Sequence, residues 1–170
     1  KAVEIIEFVK KLNVTVIQLH GKISKEELIK LKQLMPELEV IKSLVVGEYS
    51  NQEIFNIVNE HSSWIDAYIT DTFDPSTGAS GATGKTHDWN ISKEVIKLSP
   101  KPVILAGGLN PNNVREAIIA VKPAGVDVHT GVEGKDGRKD FDLVKRFIDE
   151  AKKGFEEIEQ EIDRLKQSDI

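Results

Sequence analysis

The sequence predicts an α/β protein whose parallel sheet is covered by helices. Three observations carry that expectation. Short apolar runs alternate with helix-length amphipathic stretches along the chain. The runs are apolar nearly throughout, as strands buried on both faces are. They start near residues 14, 40, 67, 102 and 125, a spacing of about 28 residues and the rhythm of a barrel of β–α units. A barrel of eight such units takes roughly 250 residues, more than the 170 here. A five-stranded doubly wound sheet also fits, and pattern alone favours neither.

The elements follow in order. Val3, Ile6 and Val9 mark an amphipathic helix over about residues 1–12. Val14 to Leu19 is a β-branched strand that exits at His20-Gly21. Ser24 with Glu27 is a capping box opening a helix to about Met35. Val40 to Val46 is the second strand, and Ser50 caps a helix through Ile54, Ile57 and Val58. Ala67 to Thr70 is the third strand, followed by a glycine-rich loop and a helix from Ser92 to Leu98. Pro102 to Ala106 is the fourth. Asn110-Pro111 reads as a cap with proline at the first helical position, and that helix runs to about Val121. Gly125 to Val128 is the fifth strand, and a long helix starts near Asp140.

Bulk composition narrows the function. With 39% hydrophobic and 30% charged residues, the chain is an ordinary globular one with enough length for a core. No run approaches the roughly 20 apolar residues of a membrane helix, and the start reads as helix, not as a signal peptide. A formal charge of −5 argues against nucleic acid as a partner. There are no cysteines, and the 4 histidines lack metal-ligand spacing, so no metal site is expected.

The chemistry gathers at three strand exits. Asp71 stands at the end of the third strand, where parallel α/β folds present ligand-contacting residues. A carboxylate there acts as a general acid if its pKa is raised; capping a loop is the plainer reading. Gly78, Gly81 and Gly84 follow, and Lys85-Thr86 invites a P-loop reading. That motif needs glycine where Ala79 stands, and it should turn directly out of the strand. A functional loop and a plain surface loop remain open for this stretch. Gly107-Gly108 and Thr130-Gly131 follow the next two strands, and bare amides at neighbouring exits favour a phosphate site over routine turns.

Four blocks carry a family likeness. Gln18-Leu19-His20-Gly21, Asp71 with Gly81 to Trp89, Leu105 to Val114, and Gly125 to Glu133 resemble phosphoribosylanthranilate isomerase of tryptophan biosynthesis. The resemblance covers residues 1 to about 150 and looks like strands four to eight of that family's barrel. It implies a (β/α)8 TIM-barrel type fold, apparently incomplete, with five of eight units over residues 1–153 and a helical extension over 154–170. It implies a cytoplasmic enzyme that performs an Amadori rearrangement of N-(5′-phosphoribosyl)anthranilate without metal or organic cofactor. A general acid opens the ribose ring and a general base removes a proton from the second sugar carbon. By resemblance Asp71 matches the acid; Gly107, Gly108, Thr130 and Gly131 match the phosphate loops; Asp127 matches a substrate-contacting aspartate. The segment from Gly78 to Gly84 would close over the substrate. The expected partner is therefore a phosphorylated small molecule, with no nucleic acid and no membrane.

The sequence departs from the family in three ways. The family's base is a cysteine on strand one, and this chain has no cysteine. An anthranilate-binding arginine is also missing, so a front of about three β–α units is expected to be absent and the chain alone inactive. His129 stands where the family has serine; it donates to phosphate, marks a changed ligand or faces solvent. Finally, Phe141, Val144, Ile148, Ala151, Phe155, Ile158, Ile162 and Leu165 form a heptad stripe. Its second half, from Phe155, is expected to have no barrel to cover, to bend at Gly154, and to meet a second copy or fold over an open barrel. A catalytically silent phosphate binder and an interaction module using this helix are the alternatives to an isomerase.

Overall fold

A computed structural model describes residues 1–74, 79–80, 86 and 88–168. Six helices and six strands appear there. α1 is Ala2–Leu12, α2 Lys25–Leu34, α3 Asn51–His61, α4 Trp89–Leu98, α5 Val114–Val121 and α6 Phe141–Ser168. β1 is Val16–Leu19, β2 Glu39–Val46, β3 Ala67–Asp74, β4 Ala79–Ser80, β5 Val103–Leu105 and β6 Gly125–Val126. The capping box expected at α2 forms only in part, the Ser24 hydroxyl taking the Glu27 amide alone, whereas Ser50, expected as a simple cap, forms a full box with Glu53.

The strand order decides between the two architectures. The main path runs β1-β2-β3-β5-β6, and each of its neighbouring pairs is parallel. Chain order is therefore sheet order. A doubly wound sheet reverses direction at a switch point, and this sheet does not. It winds one way, as a barrel wall does. β4 adds a short antiparallel ladder to the far end of β3, which the sequence did not suggest.

Register sorts the side chains onto two faces. Leu19, Lys42 and Tyr68 are cross-strand neighbours, and so are Leu44, Thr70, Leu105 and Val126. This face lies under the helices: Val40, Leu44, Tyr68 and Val103 join Leu28, Leu31, Ile54, Val58 and Val95 in one core cluster. The Tyr68 hydroxyl donates to the Val58 carbonyl of α3 at 3.1 Å. The next residue along each strand falls on the opposite face by the two-residue period. β3 runs on to Asp74, so Asp71 lies within the strand and not at its end as expected; Asp71 and Asp127, just past β6, share the inner face.

Two expectations need correction. Pro111 is not the first residue of α5; residues 111–113 form a turn and the helix starts at Val114. Asn113 explains this: its side-chain oxygen accepts the Asn110 amide at 2.8 Å, and its amide nitrogen donates to the Gly108 carbonyl at 3.1 Å. The turn thereby serves the loop before it. The second concerns α6, which runs through Gly154 without a break. A Cβ at Gly154 would stand 3.1 Å from the Ile118 Cβ, so the glycine lets α6 approach α5 closely. Beyond it, Phe155 and Ile158 pack on the second core cluster with Val114, Ile118 and Phe147. Arg115–Glu157 and Lys122–Glu161 ion pairs continue the contact with α5. The covered stretch thus reaches past Gly154, because α5 lies alongside it.

Candidate active site

Residues from β3 and from the exits of β1, β5 and β6, four strands in all, converge on one cleft. It holds about 240 Å³ and is lined by His20, Asp71, Ala106 to Leu109 and Asp127 to Thr130. Asp71, Gly107, Gly108, Asp127, His129 and Thr130 are thus brought together. Gly84, like Gly78 and residues 81–83, lies outside the described residues; of that segment only Ala79–Ser80 is described, as β4.

The β5 and β6 exits are fitted to each other through their backbones. Gly131 packs so tightly on the β5 exit that an added Cβ would lie 1.8 Å from the Leu109 carbonyl oxygen. No side chain fits there. Gly107 and Gly108 hold φ of 93° and 64°, left-handed values that glycine tolerates without strain. Asn110 and Asn113 both donate to the Gly108 carbonyl, which fixes the end of that loop. The Asp127 amide donates to the Leu105 carbonyl at 2.9 Å, the last sheet bond before the cleft. Gly131 does not line the cleft; it holds the wall that does.

Asp71 is one of two carboxyl groups that line the cleft. Burial pushes its carboxyl above the usual carboxylate range. The Thr72 amide, donating at 2.8 Å, opposes this, as does the nearby His20; the Asp127 carboxylate adds to the upward push. A half-buried carboxyl beside a second carboxylate is suited to holding a proton and delivering it.

His129 is 61% exposed, with Nδ1 3.4 Å from Glu133. Lys139 ties the same corner, donating to the His129 carbonyl and to Glu133, each at 2.7 Å. The ring edge thus leans on an acid as well as lining the cleft. His20 was missed as a cleft residue. It belongs to the first sequence block, but only the three-dimensional winding brings the β1 exit opposite β3. Among the described residues no cluster of His, Asp or Glu is suited to a metal ion.

A parallel sheet wound in chain order, with a half-buried carboxyl and glycine-built corners lining one cleft, defines a barrel-type α/β protein. The comparisons narrow this class. The family model for N-(5′-phosphoribosyl)anthranilate (PRA) isomerase matches residues 2–150. N-(5′-phosphoribosyl)anthranilate isomerase 2 of Methanosarcina mazei is 39% identical over 155 residues, covering 91% of this chain and 67% of the relative. The crystal structure of the Thermotoga maritima isomerase superposes with a TM-score of 0.69 at 33% identity, over 89% of this chain and 68% of that one. A family structure in complex with reduced 1-(o-carboxyphenylamino)-1-deoxyribulose 5-phosphate gives a TM-score of 0.66 at 30% identity, over 89% of this chain and 66% of that one. The chain belongs to the phosphoribosylanthranilate isomerase family, isomerases of tryptophan biosynthesis with a TIM-barrel type fold. It spans about two thirds of the length of these relatives. The matches establish the family; the narrower identification with strands four to eight is not borne out.

Proposed function

We propose that this chain carries the acid half of a phosphoribosylanthranilate isomerase site. One observation carries the reading: a carboxyl held above its ordinary pKa range stands in the same cleft as two glycine corners. The substrate's phosphate binds at Gly107, Gly108 and Thr130, whose loop Gly131 supports. Asp71 then donates its proton to the ribose ring oxygen. The carbon–oxygen bond breaks and the electron pair stays on that oxygen, leaving an iminium at the first sugar carbon. Loss of a proton from the second carbon gives the enamine, which tautomerises to the aminoketone. Asp127 contacts the substrate amine and His129 the phosphate.

The second proton needs a base. The chain has no cysteine, and the family resemblance assigns that step to one. The chain by itself is therefore expected not to turn over. Within the proposed extension 154–170, the part beyond the Lys122–Glu161 pair is proposed to meet a second copy; Ile162 is exposed there. The setting is cytoplasmic.

The test is kinetic. The full gene product is assayed with phosphoribosylanthranilate, with and without Asp71→Asn. Loss of a general acid lowers kcat by about 10²–10⁴-fold. An unchanged rate would remove Asp71 from the mechanism. A second reading, a silent binder of a phosphorylated ligand, draws on His129 and its lean towards Glu133. It predicts binding of the reduced product, reduced 1-(o-carboxyphenylamino)-1-deoxyribulose 5-phosphate, in calorimetry but no turnover by the gene product.

A further inference from the structure

Lys42 stands in an apolar strand and is 1% exposed. By register it lies between Leu19 and Tyr68 on the helix-covered face, where an aliphatic residue would pack as well. Its ammonium has no carboxylate partner within ion-pair distance among the described residues. It donates instead to three backbone carbonyls, of Ser43 at 2.7 Å, Leu19 at 3.3 Å and His20 at 3.5 Å. All its donors are then engaged, so it has none left for a ligand in the groove above it.

The position of those carbonyls matters. The β1–β2 ladder ends at the pair Leu19↔Lys42. The β1 exit therefore leaves the sheet where Lys42 takes hold of it. On the inner face the Gln18 amide donates to the Ser43 hydroxyl at 2.9 Å, so the same strand end is tied from both sides. The next side chain is His20, which lines the cleft and whose charge acts on Asp71.

We propose that Lys42 is a positioning residue for the cleft, its ammonium tying the Leu19–His20 corner to β2 and so fixing where the His20 ring stands against Asp71. The inference rests on the reading of the cleft as a substrate site, and its test separates the two.

The experiment is NMR on this chain, wild type, Lys42→Met and Lys42→Arg. The readout is the step in the His20 ring shift as Asp71 ionises. The charges that act most on Asp71 are those of His20, Asp127 and His129, and Lys42→Arg keeps the charge at position 42. We expect a wild-type step, at least a twofold smaller one in Lys42→Met, and recovery in Lys42→Arg. An equal step in folded Lys42→Met overturns the proposal.

If Lys42→Met does not fold, the wild type alone suffices. Burial lowers the Lys42 pKa to about 8. The groups around it are Lys22, Lys25 and Glu26 near α2, Glu48 after β2, and Glu53, Glu60 and His61 on α3. The amides of His20 and Gly21 should shift together with a midpoint near 8. Flat amides through that range overturn the proposal. Inorganic phosphate tests the underlying site independently: it should shift the amides of Gly107, Gly108 and Thr130 in every variant. Failure there removes the phosphate site and leaves the His20 result standing.

Discussion

The two sides of the cleft are built from different materials. At the β5 and β6 exits the wall is backbone against backbone, with Gly131 on the Leu109 carbonyl. At the β1 exit the wall is held by side chains, Lys42 beneath and Gln18 with Ser43 inside. A backbone fit has no adjustable part: it tolerates no added atom and does not answer to pH. A side-chain tie keeps its shape only while its charge and length are kept. One side should therefore fail by steric overlap, the other by chemistry.

The largest effect tests the first half of that contrast. Gly131→Ala would put a methyl 1.8 Å from a backbone oxygen, so the loops must part. Destabilisation of about 3 kcal/mol is expected from urea unfolding, at the upper end for overpacking. A midpoint like that of wild type would break the comparison.

The second tests the other half. Burial lowers the Lys42 pKa from 10.5 to about 8 in the folded chain. Between those values the unfolded chain holds more protons, so stability rises with pH. Measured against Lys42→Met, wild type should gain about 2–3 kcal/mol on going from pH 7 to above 10. A pH-independent gap would mean that the lysine is not buried as a cation.

Asp71 gives a smaller change with the opposite sense. Its pKa is raised, so the stabilising protonated form is lost as pH rises through the folded value. At pH 7 Asp71→Asn should raise Tm slightly, while the same change at pH 3 should not. A lower Tm at pH 7 would mean that the carboxylate is structurally required. The smallest effect lies outside the cleft. Arg115 and Glu157 are 47% and 39% exposed, so Glu157→Ala should cost about 0.5 kcal/mol and lose that cost in high salt.

What was legible in the sequence was local. Ser24 and Ser50 cap helices because capping needs only the next three residues. β2 was found because a buried strand is apolar, and Asp71 because the apolar run before it stops there, although β3 itself continues to Asp74. Strand order was not legible, since pattern cannot tell a barrel wall from a doubly wound sheet. Pro111 misled because its usual role at a helix start gave way to a turn fixed by Asn113. Gly131 looked like a turn glycine; the contact that requires it lies across the cleft. His20 and Lys42 carried no local sign, and each acquires a role only when β1 and β2 lie side by side. The reach of α6 along α5 was hidden for the same reason.

The central claim is that Asp71 stands in the cleft as a proton donor. The direct measurement is the carboxyl carbon resonance of Asp71 followed by NMR against pH in this chain. The account predicts a midpoint above the usual aspartate value of about 3.9, moving down when Asp127 is replaced by asparagine, since the Asp127 carboxylate helps to raise it. A midpoint at or below the ordinary value would contradict it.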